Sequence, residues 1–142
     1  MSLYHSFNET NAWLDTVVAE HGDIAELFDI GTSYEGRPIR GVRLTGTEYV
    51  NQEWLVVCSL TFLTFGDVHR LGDAVVGSKG TRSDKPGFWL DGGLHAREWI
   101  TTATVSWMLD KAVGLYAAGD AQTVARVDAL DLVFVPVLNP DG

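Results

Sequence analysis

The hydrophobic and polar positions in the first part of the chain predict a helix followed by a β-hairpin. A capping box of the form S-x-x-E spans Ser6 to Glu9, which is typical of a helix start. An apolar stripe at helical spacing follows it: Trp13, Leu14, Val17 and Val18. The runs Leu27–Ile30 and Ile39–Leu44 then flank the turn residues 34–38, and the second run alternates apolar with polar residues. Together the two runs predict a hairpin.

The last part of the chain predicts a strand, two helices and a further strand. Phe88–Asp91 follows Lys-Pro-Gly and has the composition of a buried strand. The next segment carries an apolar stripe that predicts a helix: Ile100, Ala103, Thr104, Trp107, Met108 and Leu115. Trp99 and Trp107 are expected in the core. Asp120 is a good N-cap for a second helix up to Leu130, and Leu132–Leu138 predicts the last strand. Strands that alternate with helices indicate an α/β fold.

The segment 47–80 departs from this pattern. Leu55–Phe62 has the composition of a strand but no strict alternation, and four glycines interrupt the residues after it: Gly66, Gly72, Gly77 and Gly80. Long loop insertions cost little closure entropy, but an apolar insertion needs a surface to cover. We interpret 47–80 as an atypical, irregular insertion with one strand in its middle.

Composition and charge narrow the function. The 142 residues are 46% hydrophobic and 20% charged, as expected of one globular domain. A formal net charge of −9 disfavours binding to nucleic acid or to an anionic membrane surface. The single cysteine, Cys58, excludes an internal disulfide, and no apolar run reaches the roughly 18 residues that cross a bilayer. The N-terminal residues show no signal-peptide pattern.

Candidate chemistry is concentrated directly after Phe88–Asp91. Two glycines allow a tight turn there, and His95 and Glu98 follow at the junction with the next helix. Imidazole and carboxylate are both zinc ligands, and ligands commonly bind at the strand ends of open α/β sheets. Three residues apart at a helix start, the two side chains can converge on one ion. The alternative is a loop histidine beside a first-turn glutamate that the helix dipole favours.

Four segments, in this order, resemble the zinc metallocarboxypeptidases of the carboxypeptidase A/B type. They are Tyr4-His5, Ile30–Ile39 (IGTSYEGRPI), His95–Ile100 (HAREWI) and Asn139–Gly142 (NPDG). Four matches in order are far more specific than any one of them, and HAREW is closer to the secreted A/B branch than to the cytosolic branches. The resemblance implies the N-terminal portion of a mixed-sheet α/β zinc carboxypeptidase domain with flanking helices. Because the chain stops directly after a strand and a turn, we expect that domain to be truncated at Gly142.

By this resemblance, His95 and Glu98 are the first two ligands of a catalytic Zn²⁺. The third ligand (a histidine), the carboxylate general base and the arginines that bind the substrate are expected beyond Gly142. Arg97 corresponds to a family arginine that lines an outer substrate subsite; the alternative is a solvated arginine near a helix start. The other histidines are expected at the surface or in the insertion: His5, His21 and His69.

The function that the resemblance implies is a zinc-dependent carboxypeptidase that releases C-terminal residues. Its expected partners are the C-termini of peptides and proteins, and we expect a secreted monomer that binds neither nucleic acid nor membranes. With two of three zinc ligands, this chain alone is expected to be inactive. One alternative is a non-catalytic fragment or pseudoenzyme with only a binding role. Another is a zinc amidohydrolase of the deacylase type, which shares H-x-x-E but which the HAREWI segment disfavours.

The resemblance also bears on the insertion. In the family a short connection joins the strands that correspond to Ile39–Leu44 and Phe88–Asp91. We hypothesise that 47–80 is translated non-coding sequence from a gene-model error, within a partial peptidase domain that otherwise covers residues 1–142. A transcript that encodes the segment in frame, with abundant matching peptides, would contradict this hypothesis.

Overall fold

Five strands and three helices make up the regular structure of the residues that this computed structural model describes, 4–46, 56–59 and 86–142. The helices are α1 (Phe7–Glu20), α2 (Trp99–Ala117) and α3 (Ala121–Ala129). The strands are β1 (Ala25–Thr32), β2 (Pro38–Leu44), β3 (Val56–Ser59), β4 (Gly87–Asp91) and β5 (Asp131–Val135). The predicted succession of helix, hairpin, strand, two helices and strand is confirmed.

The strands form one mixed sheet in the order β1-β2-β5-β4-β3. β1 pairs antiparallel with β2, which confirms the predicted hairpin, and β2 pairs antiparallel with β5. β5, β4 and β3 are parallel neighbours. The chain therefore passes from β4 to β5 through a long crossover, here α2 and α3. Because Asp91 pairs with Val135, β4 and β5 end side by side, and the segments that follow them leave the sheet at the same edge.

One strand lies inside the segment that we interpreted as an insertion. β3 confirms the strand expected within Leu55–Phe62, and it pairs with β4 at the edge of the sheet. Residues 47–55 and 60–80 lie outside the described residues. The interpretation of 47–80 as an atypical insertion and gene-model artefact stays a prediction.

The start of α1 has the predicted capping box. The Ser6 hydroxyl accepts the Glu9 N–H at 3.3 Å, and the Glu9 carboxylate accepts the Ser6 N–H at 2.8 Å. The backbone hydrogen bond from Ser6 is the main cause that lowers the pKa of Glu9. Two of the four predicted stripe residues, Leu14 and Val17, are buried, so this helix and its packing face are confirmed in the main.

The helix α2 is confirmed, but its predicted buried face is wrong. Its buried residues form a different stripe: Thr101, Val105, Ser106, Leu109 and Val113. Trp99 and Trp107, which the sequence places in the core, are 63% and 54% exposed. Apolar residues occur on every side of this helix, so the spacing alone does not select the side that packs on the sheet.

The strand β5 ends earlier than predicted. The prediction that it continues to Leu138 is wrong, because Pro136 has no N–H to donate to a neighbouring strand. Beyond the buried Pro136 the backbone contacts the loop after β4, where the Leu138 N–H donates to the Gly92 carbonyl at 2.9 Å. The early end of β5 therefore brings its following segment against the loop that carries His95.

Side chains alternate between the two faces of the sheet, and the described helices pack on only one of them. We call this the helix face; its buried cluster, completed by the helices, is Leu14, Val17, Ala25, Val42, Leu44, Leu90, Val105, Leu109, Val113, Val127 and Phe134. The opposite side, the second face, has three buried residues and four partly buried ones: Trp89, Val133 and Val135, with Phe28, Ile30, Ile39 and Leu138. No described helix contributes to the second cluster.

Candidate metal centre

His95 and Glu98 lie in the loop between β4 and α2, at the edge where β4 and β5 end. Glu98 is the N-cap residue of α2, but its side chain makes no capping hydrogen bond. Its Oε1 instead lies 3.1 Å from Nδ1 of His95. The side chains of His95 and Glu98 are 52% and 42% exposed. The structure thus brings together the two residues that the sequence singled out, and both candidate ligand side chains are partly exposed to solvent.

Two glycines and a threonine hold the backbone of this loop. A Cβ on Gly92 would lie 2.7 Å from the carbonyl oxygen of Thr101, so the close approach of the loop to α2 requires glycine here. Gly93 has φ +68°, a conformation that glycine adopts without strain. The hydroxyl of Thr101 accepts the Gly93 N–H at 2.9 Å and donates to the Glu98 carbonyl at 2.8 Å. Thr101 therefore joins the two ends of the loop.

The turn after β5 supports the loop from its other side. The Asn139 side-chain amide donates to the Leu94 carbonyl at 3.1 Å, and its backbone N–H donates to the Gly93 carbonyl at 3.2 Å. Gly142 packs so closely on Ala96 that a Cβ on the glycine would lie 2.4 Å from the alanine methyl group. The turn predicted at 139–142 is thus also a direct neighbour of the residues on both sides of His95.

The same turn is bound to the hairpin between β1 and β2 through a group that we call the Asp141 cluster: Ser33, Glu35, Arg37 and Asp141. The Asp141 carboxylate accepts the Ser33 hydroxyl at 2.7 Å, the Glu35 N–H at 2.9 Å and the Arg37 guanidinium at 2.6 Å. Arg37 Nη1 also donates to the Pro140 carbonyl at 3.2 Å. The sequence predicts two separate turns here, at 34–38 and 139–142, and does not reveal that they meet. Only their shared membership of the segments that resemble the family could have suggested the contact.

The environment of Asp141 favours its charged form. Desolvation alone raises the pKa of this carboxyl, but the hydrogen bonds from the Glu35 N–H, the Ser33 hydroxyl and Arg37 outweigh it. The pKa of Asp141 is therefore lowered. Its side chain is 17% exposed, against 40% for Arg37, so the carboxylate is the more enclosed partner.

The His95–Glu98 pair fits a zinc ion. Tetrahedral bonds of about 2.0–2.1 Å place two ligand atoms roughly 3.3 Å apart, close to the 3.1 Å between His95 Nδ1 and Glu98 Oε1. Imidazole nitrogen and carboxylate oxygen are both donors that zinc accepts. Across residues 4–46, 56–59 and 86–142, no group of three or more His, Cys, Asp or Glu residues could hold a metal ion. His69 lies outside these ranges.

Arg97 and a nearby cavity are neighbours of the His95–Glu98 pair but are not part of it. Arg97 is exposed and makes no ion pair with the described residues. A cavity of about 760 Å³ opens between the N-terminal residues and α2, and the exposed Trp99 and Trp107 line it. Tyr4 packs edge-on against Trp99 with ring centroids 5.7 Å apart. Neither His95 nor Glu98 lines this cavity, but their neighbours Ala96 and Trp99 do, so the candidate metal pair lies beside the cavity.

An exposed His–Glu pair at the end of a central strand of a mixed sheet offers donor atoms of the kind that zinc accepts. The chain belongs to the zinc carboxypeptidase family, whose model, described as "Zinc carboxypeptidase", matches residues 10–142. This confirms the resemblance seen in the sequence. None of the described helices combines the length and the hydrophobicity needed to cross a membrane.

Individual relatives agree with the family match. The chain is 30% identical over 139 residues to carboxypeptidase A2 of Mus musculus, covering 98% of this chain and 25% of that protein. It is 34% identical over 141 residues to carboxypeptidase A1 of Bos taurus, covering 99% of this chain and 25% of that protein. The crystal structure of thrombin activatable fibrinolysis inhibitor shares the fold, with a TM-score of 0.66 and 22% identity over 97% of this chain and 26% of that one. The chain thus spans about a quarter of the length of the curated relatives it matches.

Proposed function

We propose that His95 and Glu98 are two protein ligands of the catalytic zinc in a metallocarboxypeptidase that releases C-terminal residues from peptides and proteins. The observation that supports this most directly is the 3.1 Å separation of His95 Nδ1 and Glu98 Oε1 in a chain of the zinc carboxypeptidase family. The expected substrates are the C-termini of peptides and proteins. By its resemblance to the A/B branch the protein is expected to be a secreted monomer.

Zinc with one open coordination position lowers the pKa of bound water and polarises a carbonyl oxygen. The chain's own residues supply the support for that chemistry. The Thr101 hydroxyl and the Gly92–Gly93 turn fix the backbone at the start and end of the loop, which would reduce the ordering needed when an ion binds. By the resemblance, Arg97, which is exposed one residue before Glu98, would contact a peptide chain at an outer subsite.

A specific observation also favours the alternative of a non-catalytic chain. A catalytic zinc commonly uses three protein ligands, and the described residues bring together two. We therefore expect that this 142-residue chain binds zinc weakly and does not hydrolyse peptides by itself. A binding role without catalysis remains the second candidate function.

Zinc titration of the purified chain, followed by calorimetry, tests the two ligands. The unmodified chain is expected to bind one Zn²⁺ per molecule, and binding should disappear in both His95→Ala and Glu98→Ala. His5→Ala is the matched control, because His5 is exposed and lies outside the loop. Zinc binding that survives in His95→Ala and Glu98→Ala would contradict the assignment.

An activity measurement separates the catalytic and non-catalytic forms of the proposal. N-acylated dipeptides are incubated with the chain and zinc, with and without a chelator, and released amino acids are quantified. We expect no release. Chelator-sensitive release of C-terminal residues would contradict the expected inactivity of this chain, and removal of only the N-acyl group would favour the deacylase alternative.

A further inference from the structure

The candidate metal loop is contacted by a turn that is itself held from a distance. Asn139 donates to the carbonyl of Leu94, and Gly142 packs on Ala96, so the turn contacts the residues immediately before and after His95. Pro140 and Asp141 lie between Asn139 and Gly142, and Arg37 of the Asp141 cluster donates hydrogen bonds to both of them.

The cluster fixes the turn through several hydrogen bonds from one hairpin. The carboxylate of Asp141 accepts three donors from one hairpin, and the Arg37 guanidinium binds both that carboxylate and the neighbouring Pro140 carbonyl. The backbone N–H of Arg37 donates to the Ser33 hydroxyl at 3.0 Å, which orients the hydroxyl toward Asp141. Hydrogen bonds between charged partners are stronger than neutral ones and restrict geometry more.

We propose that Arg37 and Asp141 are positioning residues for the metal centre, acting through the turn 139–142 on the backbone around His95. This inference rests on the proposed zinc site and adds the group that holds it in a binding geometry. A ligand pair loses affinity when its loop can move, because the ion must then order the loop on binding. Supporting residues of metal sites commonly change metal affinity about 10- to 100-fold when they are removed.

The chain offers a matched control for a purely structural role. Arg40 lies on β2, three residues after Arg37, and pairs with two carboxylates, Asp15 at 2.8 Å and Asp29 at 3.6 Å. These partners belong to α1 and β1, and none of the three residues contacts the turn or the loop through a hydrogen bond. Arg40→Gln removes an arginine–carboxylate ion pair of similar length close to Arg37 in the chain.

The first measurement needs no metal. Hydrogen exchange of residues 92–98, followed by mass spectrometry, is compared among the unmodified chain, Arg37→Gln, Asp141→Asn and Arg40→Gln. We expect faster exchange of 92–98 in Arg37→Gln and Asp141→Asn but unchanged exchange in Arg40→Gln, with α1 unchanged in Arg37→Gln and Asp141→Asn. Arg37→Lys keeps a charged donor and is expected to recover part of the protection.

The second measurement is zinc affinity of the same set, expected to fall about 10- to 100-fold in Arg37→Gln and Asp141→Asn but not in Arg40→Gln. Unchanged exchange and affinity in Arg37→Gln and Asp141→Asn, or an equal effect of Arg40→Gln, would overturn the positioning role. The positioning role would also be overturned if residues 92–98 of the unmodified chain exchanged their amide hydrogens as fast as an unfolded peptide. If the exchange results hold but no variant or unmodified chain binds zinc, the zinc assignment fails and the mechanical coupling of turn and loop stands.

Discussion

The two faces of the sheet come from the same five strands but are buried in different ways. On the helix face, residues from α1, α2 and α3 complete a cluster of eleven buried side chains. On the second face, three buried side chains are joined by four partly buried ones, all from strands and connecting segments. Parallel strands are usually covered on both faces. Here the described helices cover only the helix face, so the second face is the less buried side of the described structure. The difference predicts that equal losses of apolar volume cost more on the helix face.

The largest effect is expected from a cavity on the helix face. Leu109 is fully buried between α2 and the sheet, so Leu109→Ala should lower the free energy of unfolding by about 2–5 kcal/mol in urea unfolding experiments. Leu115 on the same helix is 45% exposed and provides the control, with an expected change within about 0.5 kcal/mol for Leu115→Ala. Equal losses for the two variants would show that the helix does not pack as described.

An intermediate effect is expected from overpacking the second face. A Cβ on Gly41 would lie 2.6 Å from the Phe28 ring and 2.9 Å from the Phe134 carbonyl oxygen, so Gly41→Ala should cost about 1–3 kcal/mol of unfolding free energy. Gly31→Ala is the control, because a Cβ there meets nothing within 4 Å. A neutral Gly41→Ala would mean that the Phe28 ring moves freely, and the second face would then be looser than described.

A smaller effect tests whether the stability of the helix face also depends on the N-terminal cap of α1. Ser6→Ala removes the cap of α1 and should cost about 1 kcal/mol of unfolding free energy, measured by the same urea titration. Thr16→Ala changes an exposed residue in the same helix whose hydroxyl bonds only to the Ala12 carbonyl, so it should be neutral or slightly stabilising. If Ser6→Ala is also neutral, α1 is held by its packing alone.

The smallest effect lies outside both faces, and it is present at neutral pH and lost in acid. The folded pKa of Asp141 is lowered, so its contribution to stability is present above the unfolded pKa of about 3.9 and is lost as the pH falls through the folded pKa. The unmodified chain should therefore be more stable than Asp141→Asn at pH 7, and this advantage should shrink below about pH 4. A stability difference that is constant between pH 7 and pH 3 would contradict the charged state assigned to Asp141.

Local features of the fold could be predicted because they depend on neighbouring residues. The capping box at Ser6 and Glu9, the hairpin and the Asp120 cap were all visible at short range, and the Asp120 carboxylate indeed accepts the Thr123 N–H at 2.9 Å. The proximity of His95 and Glu98 followed from a three-residue spacing at a helix start.

Features that depend on distant partners could not be predicted. The face of α2 that packs on the sheet was assigned wrongly, because apolar residues occur on every side of the helix and the spacing alone does not select the buried side. The meeting of Ser33 with Asp141 joins residues 108 positions apart, and a single sequence carries no measure of such pairing. The spacing of motifs therefore could not predict which residues support the metal loop.

That separation of 108 positions between Ser33 and Asp141 has a consequence for the order of folding. Contacts between distant residues form late, because the closure entropy of the intervening chain must be overcome before the contact stabilises anything. We therefore expect the support of the loop around His95 to be completed late, when the hairpin meets the turn 139–142. Chains in which the hairpin and the turn have not yet met should bind zinc more weakly, so the gain of zinc affinity during refolding would report when this contact forms.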